Sequence, residues 1–333
     1  MTGPCACTQT LARQGLLRPH AAAASAAVAA FSSSTSPLRA SRRRPHSTSA
    51  NSPAPTPQDA LPLLEDGNYR GHVPVNWFQR GVLTVGSALM GLADTHRHDM
   101  VAVLSETSAP TASLRRLQRA LRASPSGRAI LRERPRITEK SIDVEQLGQL
   151  PKGTFGKAYF DWLRRNKVTP DTRDPVRYID DPELAYIMQR YRESHDFYHV
   201  LLGFGVSLPA ELVVKWFELA NFGLPVAALS GLFGPLRLED PIERKDLWRT
   251  YGPWALRAGA RADCLIGVYW EREWETPIAQ LRERLGVERP PVGFKQWRER
   301  HRLRRGEQPR PPPAAAAQAQ GRPVSEPVEA TVP

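Results

Sequence analysis

This 333-residue sequence contains few cysteines, no acidic residue near its start and no long uninterrupted apolar run. Of its three cysteines, Cys5 and Cys7 lie within the first ten residues, which leaves Cys264 alone in the rest of the chain. A single cysteine cannot form a disulfide framework, so the class of disulfide-rich secreted domains is excluded. This use of cysteine fits a protein of a reducing cellular compartment.

The two ends of the chain have compositions that differ from the middle. Residues 1–58 contain six arginines and no acidic residue, and the remainder is mostly Ala, Ser, Thr and Pro. This composition is typical of a mitochondrial transit peptide or a disordered basic tail. Residues 289–333 are rich in Pro, Arg, Ala and Gln, which predicts a second disordered tail. One folded domain is therefore expected over residues 59–288.

The excess of positive charge lies in these ends. The formal net charge is +12, with 46 basic and 34 acidic residues in all. Residues 59–288, however, contain 31 basic and 30 acidic residues. A nucleic-acid-binding protein needs its positive charge on the folded face that meets the phosphates. We therefore predict no nucleic-acid partner.

Two apolar segments are shorter or more interrupted than a membrane-spanning helix. Residues 219–236 contain no charged residue, but three glycines and two prolines interrupt them. A spanning helix needs about 20 consecutive apolar residues. We interpret this segment as broken, and either buried or dipping into a membrane. Together with residues 81–93, it serves either ordinary core packing or a pocket for a lipid tail.

The apolar periodicity between residues 59 and 288 is helical nearly throughout, which predicts an all-α domain. The clearest helix starts after Asp180 or Asp181, with Pro182 in its first turn. Its apolar residues recur with the spacing of a helix that has one buried face. Gly203 and Gly205 are expected to end it, and Pro209 to start the next helix.

Four polar residues around that helix end are candidate metal ligands. His195 and His199 are four residues apart on the apolar stripe, so one helical turn brings their imidazoles together. Glu211 lies in the first turn of the next helix, where an antiparallel hairpin would place it opposite them. Asp196 is rotated by about 100° from His195 and could bind directly or through water. Two nitrogens and two oxygens suit zinc, although iron or cobalt would also accept them.

Several other interpretations of these residues stay open. Glu211 could simply favour a helix start, and a buried histidine can be satisfied by a carbonyl or carboxylate. The "HDFYH" segment also resembles the HExxH motif of zinc peptidases. In that motif, however, the second residue must reach a metal-bound water, and Asp196 is one methylene shorter than the glutamate. A metallohydrolase is therefore the weaker interpretation.

Several longer segments, among them "RHDMVAVLSET", "ERPRI", "PDTRDPVRYIDDPELAYIMQRYRESHDFYHVLLG" and "ELVVKWFE", closely resemble the mitochondrial coenzyme Q biosynthesis protein 4 family. The resemblance covers roughly residues 65–287. The family's hallmark, HDxxH followed by eleven residues and Glu, falls on His195, Asp196, His199 and Glu211 without a gap. The resemblance thus implies that all four are metal ligands.

The resemblance also implies a helical, zinc-dependent protein on the matrix face of the mitochondrial inner membrane. It implies removal of the ring carboxylate of 4-hydroxy-3-methoxy-5-polyprenylbenzoate, either by simple decarboxylation or with oxidative hydroxylation of the ring. Implied partners are the other enzymes of coenzyme Q biosynthesis, held in one complex, and a homodimer is a further possible assembly. The alternative is a lipid-binding scaffold with a structural metal and no catalysis.

Overall fold

The protein is described by a computed structural model, which covers residues 69–94, 97–172 and 174–307. Within these residues the chain is helical, with an isolated β bridge between Thr154 and Pro277. The helices are α1 (Trp77–Ala93), α2 (His98–Thr107), α3 (Thr111–Ala123), α4 (Pro125–Glu133), α5 (Val144–Gln149), α6 (Phe155–Asn166), α7 (Pro182–Glu193), α8 (His195–Leu202), α9 (Leu208–Phe222), α10 (Pro225–Phe233), α11 (Pro241–Arg261), α12 (Ile278–Arg284) and α13 (Phe294–Arg304). The prediction of an all-α domain is confirmed. The predicted transit peptide at residues 1–58 lies outside the described residues.

The start of α7 follows the local rules read from the sequence. The Asp181 carboxylate accepts hydrogen bonds from the backbone N–H groups of Glu183 and Leu184, and Pro182 occupies the first turn. These contacts satisfy backbone donors that have no partner inside the helix. The predicted helix start is therefore confirmed.

The predicted single helix from residue 182 to residue 202 is divided at Ser194 into α7 and α8. The Ser194 hydroxyl donates to the Arg190 carbonyl at 2.5 Å and lies 2.9 Å from the Tyr198 hydroxyl. A serine that bonds back to the preceding turn competes with the helical backbone pattern and bends helices. The division thus has a local cause, although the pattern of apolar residues gives no sign of it.

The expectation of one buried face on this helix is wrong, because α7 and α8 are buried on every side from Leu184 to Leu202. Their charged residues pair with distant elements instead of facing solvent. Arg190 contacts Glu271 at 2.5 Å, Arg192 contacts Glu106 at 2.8 Å, and Glu193 contacts Arg136 at 2.6 Å. A buried charge requires such a partner. The helix pair forms the centre of the domain.

Helix α9 is held firmly against α11. At Gly259 a Cβ atom would lie 2.3 Å from the Phe217 carbonyl oxygen, so only glycine permits this approach. The Asn221 side-chain amide also donates to the carbonyls of Gly259 and Asp263, both at 2.9 Å. These contacts fix the helix that carries Glu211.

Both apolar segments carry large apolar side chains that are exposed, which differs from ordinary core packing. On α1 the residues Phe78, Val82, Val85 and Leu89 recur every three or four positions and are all exposed. Leu232, Phe233 and Leu236, at the end of α10 and in the 3₁₀ turn Gly234–Arg237 after it, are exposed too. The Arg237 guanidinium donates to the Gly91 carbonyl at 3.2 Å, which brings the two segments together. We call these seven residues the apolar face.

Among the described residues, no helix has both the length and the apolar character needed to cross a membrane. This agrees with the interruption of residues 219–236 by glycine and proline.

Helix α13 (Phe294–Arg304) lies within residues 289–333, where the composition predicts a disordered tail, and it belongs to a compact unit that begins at Val292. Phe294, Trp297 and His301 recur at helical spacing and are buried, and their neighbouring rings lie 5.7 and 4.5 Å apart. The abundant proline of this region hides the short apolar stripe. Residues 308–333 lie outside the described residues.

Candidate metal centre

The predicted helix hairpin is present and carries three of the four candidate ligands to one point. Gly203 ends α8 in the left-handed conformation, with φ of 80°, and Pro209 lies in the first turn of α9. His195 and His199 occupy successive turns of α8, and Glu211 lies in the first turn of α9. The predicted meeting of the two imidazoles with Glu211 is confirmed.

The distances within this group are those expected of ligands around one cation. His195 Nε2 lies 3.1 Å from His199 Nε2 and 3.2 Å from Glu211 Oε2, and His199 Nε2 lies 3.3 Å from Glu211 Oε1. Tetrahedral ligands at zinc distances of about 2.0–2.1 Å are about 3.3 Å apart. The three residues therefore fit zinc, and octahedral ions with similar bond lengths would fit as well. No metal identity follows from the geometry.

Asp196 is buried on α8 but does not belong to this three-residue group. It follows His195 directly, and successive side chains on a helix point about 100° apart. Its role as a ligand, directly or through water, stays a prediction.

Glu218 is a further residue of the site that the sequence analysis missed. It lies on α9, is fully buried, and accepts from His195 Nδ1 at 2.5 Å. Lys215 Nζ and the Tyr191 hydroxyl both donate to its other oxygen at 2.7 Å. The signal was present, because Glu218 follows Glu211 by seven residues and so shares its helix face.

The electrostatics of the site favour ionised carboxylates. Burial opposes the charge on Glu211, but His199 and His195 outweigh it and hold the pKa of Glu211 well below its usual value. Burial also opposes the charge on Glu218, while Lys215 and His195 lower its pKa to about 2. Burial and Lys215 act against protonation of His195, yet the two carboxylates raise its pKa. The ionised form of Glu211 is the form that can bind a metal.

His199 connects the group to a cavity of about 460 Å³ between α6, α8 and α12. Its Nδ1 atom is buried without a protein hydrogen-bond partner among the described residues, and its ring lies 5.5 Å from that of Trp162. The cavity lining contains four cationic side chains and one carboxylate: Lys152, Lys157, Arg165, Arg282 and Asp161. This excess of positive charge suits an anionic group.

The fold and the site together define an all-helical protein with a two-histidine, one-carboxylate group at a helix hairpin. Residues 69–291 match the family model described as "Coenzyme Q (ubiquinone) biosynthesis protein Coq4". The chain therefore belongs to the Coq4 family of ubiquinone biosynthesis proteins.

Individual relatives agree with this assignment. The chain is 52% identical over 232 residues to the mitochondrial ubiquinone biosynthesis protein COQ4 of Coprinopsis cinerea, covering 69% of this chain and 79% of that one. It is 47% identical over 232 residues to the protein of the same name from Schizosaccharomyces japonicus, covering 70% and 97%. A crystal structure from Nostoc punctiforme, also named for ubiquinone biosynthesis, aligns with a TM-score of 0.51 and 25% identity over 62% of this chain and 98% of that one.

Proposed function

We propose that this protein is a zinc-dependent carboxy-lyase of mitochondrial ubiquinone biosynthesis. Its substrate would be 4-hydroxy-3-methoxy-5-polyprenylbenzoate, and its ligands His195, His199 and Glu211, with Asp196 as the fourth. The observation that carries the proposal is the convergence of the first three residues within 3.1–3.3 Å. Family membership supports the pathway.

The structure brings together three of these ligands, His195, His199 and Glu211, so Asp196 would act through a water molecule that substrate can replace. This arrangement favours a catalytic centre over a structural one. Structural zinc sites are usually closed by four protein ligands, whereas catalytic sites retain an open position. The Glu211 side chain is 34% exposed, which gives a route from solvent to the site. When bound, zinc would supply Lewis acidity to a substrate in the open position.

The cationic cavity beside His199 supports binding of a substrate that bears a carboxylate. Lys152, Arg165 and Arg282 would hold this group by charge, and the Trp162 ring offers an apolar wall. In decarboxylation the ring carbon gains a proton, its bond to the carboxylate breaks, and the bonding electrons return to the ring as carbon dioxide leaves. The para hydroxyl group stabilises the cationic ring in between. An oxidative version needs molecular oxygen as the electron acceptor.

The decisive experiment is to incubate zinc-loaded protein with substrate labelled in its carboxylate carbon and to measure released carbon dioxide, with and without oxygen. His195→Ala and Glu211→Ala should abolish zinc content and release. His72→Ala is the control, because its ring pairs with Asp180 and lies outside the group. Full turnover by a zinc-free variant would refute the catalytic role and leave the non-catalytic scaffold.

We further propose that the protein associates peripherally with the matrix side of the mitochondrial inner membrane through the apolar face. An amphipathic helix such as α1 can lie in the membrane interface without spanning it. The names of the relatives support mitochondria, and the Arg-rich, acid-free start of the sequence supports import into the matrix. The polyprenyl tail of the substrate could then remain in lipid.

Flotation with anionic lipid vesicles tests this surface. Val85→Glu combined with Leu89→Glu should remove the protein from the vesicle fraction. Leu303→Glu, which changes an exposed leucine outside the apolar face, should not. Unchanged flotation of the double variant would contradict the proposal, as would a concentration-dependent homodimer that buries this face instead.

The final part of the proposal is that the protein organises other enzymes of coenzyme Q biosynthesis into a complex. Its support is membership of the Coq4 family. Tagged protein purified from mitochondria in mild detergent should carry those enzymes at defined stoichiometry. Their absence under conditions that preserve the inner-membrane complexes would contradict this part.

A further inference from the structure

The most informative group outside the three candidate ligands is the carboxylate of Glu218. It is fully buried in α9 and has no access to solvent. One oxygen accepts from His195 Nδ1, and the other accepts from Lys215 Nζ and from the Tyr191 hydroxyl. Each of these contacts is 2.7 Å or shorter. A buried charge with three convergent donors is costly to assemble, so its position requires an explanation.

The position of Lys215 indicates what the carboxylate does for His195. Lys215 Nζ donates to Glu218 Oε2 at 2.7 Å and so compensates the charge of the buried carboxylate. The other oxygen, Oε1, lies 2.5 Å from His195 Nδ1, and a neutral ring that donates Nδ1–H there has its lone pair on Nε2. Nε2 lies 3.2 Å from Glu211 Oε2 and 3.1 Å from His199 Nε2.

The two histidines of the group differ in this respect. His195 Nδ1 has a buried charged acceptor, whereas His199 Nδ1 has no protein partner among the described residues. A hydrogen bond at Nδ1 therefore holds the orientation and tautomer of His195, whereas the buried His199 ring lacks a protein hydrogen bond at that atom among the described residues. We therefore expect that a substitution of Glu218 would weaken metal binding mainly by its effect on His195.

We propose that Glu218 is the positioning carboxylate of the candidate metal centre, with Lys215 as its counter-ion and Tyr191 as its second anchor. It holds the His195 ring in the Nδ1–H tautomer and directs Nε2 toward Glu211 and His199. Carboxylates in this position orient a ligating imidazole and increase its basicity. This inference rests on the proposed metal site.

Zinc affinity, measured by competition with a chromophoric chelator at pH 7, tests the proposal directly. Glu218→Gln should bind zinc about 10–100-fold more weakly than the wild type. Glu106→Gln is the matched control, because Glu106 is equally buried and hydrogen-bonded but pairs with Arg192 away from the site. It should lose stability without losing zinc affinity.

A second measurement reports on the hydrogen bond itself. In protein labelled with ¹⁵N-histidine, the His195 Nδ1 proton should resonate far downfield, shift upfield in Glu218→Gln and stay in place in Glu106→Gln. Wild-type zinc affinity in Glu218→Gln, or an unshifted resonance, would overturn the proposal. A merely structural glutamate would leave both readouts unchanged in the folded protein.

The test remains decisive if Glu218→Gln does not fold or if the wild type binds no zinc. If Glu218→Gln does not fold, Lys215→Met and Tyr191→Phe replace it, since each removes one donor to Glu218. Several-fold weaker zinc binding in both supports the proposal, and unchanged binding in both overturns it. If the wild type binds no zinc, the metal site itself is refuted, while the proton resonance still decides whether Glu218 fixes His195.

Discussion

The centre of this protein and its apolar face are arranged in opposite ways. Around α7 and α8 charged side chains are buried and paired, whereas on α1 and the end of α10 large apolar side chains face solvent. A buried charge without an ion-pair partner lowers stability. A large exposed apolar surface usually marks a site that binds another molecule. Whether a charged or apolar side chain is buried thus depends on whether packing brings it a suitable partner. Buried charges at the centre find theirs within the chain, and we propose that the apolar face finds its partner in lipid.

The largest expected effect comes from breaking a central ion pair. Arg190→Met leaves the Glu271 carboxylate without its buried partner, and such a loss costs about 3–5 kcal/mol. Urea unfolding followed by circular dichroism measures it. Arg132→Met is the control, because the Arg132–Glu133 pair lies at the surface and contributes about 1 kcal/mol or less. Equal losses in the two variants would remove the distinction between centre and surface.

Acid should weaken the centre in a defined pH range. The pKa of Glu218 is lowered from 4.5 to about 2, so its ionised form stabilises the fold fully above pH 4.5. That contribution, about 3 kcal/mol, is lost as the pH falls toward 2. In chelator-treated protein, the difference in unfolding free energy between wild type and Glu218→Gln should narrow from pH 5 to pH 3. A difference independent of pH would contradict the assignment.

Two helical glycines offer a smaller contrast between the same regions. Gly259→Ala would force a methyl group against the Phe217 carbonyl, and overpacking of this kind costs about 1–3 kcal/mol. Gly86→Ala on α1 meets nothing within 4 Å and should stabilise the helix by about 0.5–1 kcal/mol. The melting temperature should therefore fall in Gly259→Ala and rise in Gly86→Ala. Destabilisation by Gly86→Ala would mean that a further group covers α1.

The smallest effect on stability is expected at the apolar face. Leu89→Glu changes an exposed residue and should alter the free energy of unfolding by about 0.5 kcal/mol or less. Thermal melting of the lipid-free protein checks this. A loss of more than about 1 kcal/mol would indicate that Leu89 packs within the fold.

Local rules predicted much of the candidate site. The spacing of His195 and His199, the cap at Asp181 and the turn between Gly203 and Pro209 all depend on residues within one or two helical turns, and each has its predicted place. Glu211 followed from the same rules, because a short connection forces neighbouring helices into a hairpin. The seven-residue spacing places Glu218 on the helix face of Glu211, but its contact with His195 Nδ1 depends on how α8 and α9 pack, and the spacing alone does not predict that contact.

The helical class, the hairpin and the register of the three converging ligands could be predicted from the sequence, because they depend on backbone geometry and short-range spacing. Which charges are buried and which apolar residues are exposed depends instead on long-range packing. Arg190 and Glu271 are 81 residues apart, and Arg192 and Glu106 are 86 apart. Burial is a property of the neighbours that packing brings to a residue, so the residue's own identity and periodicity could not settle it.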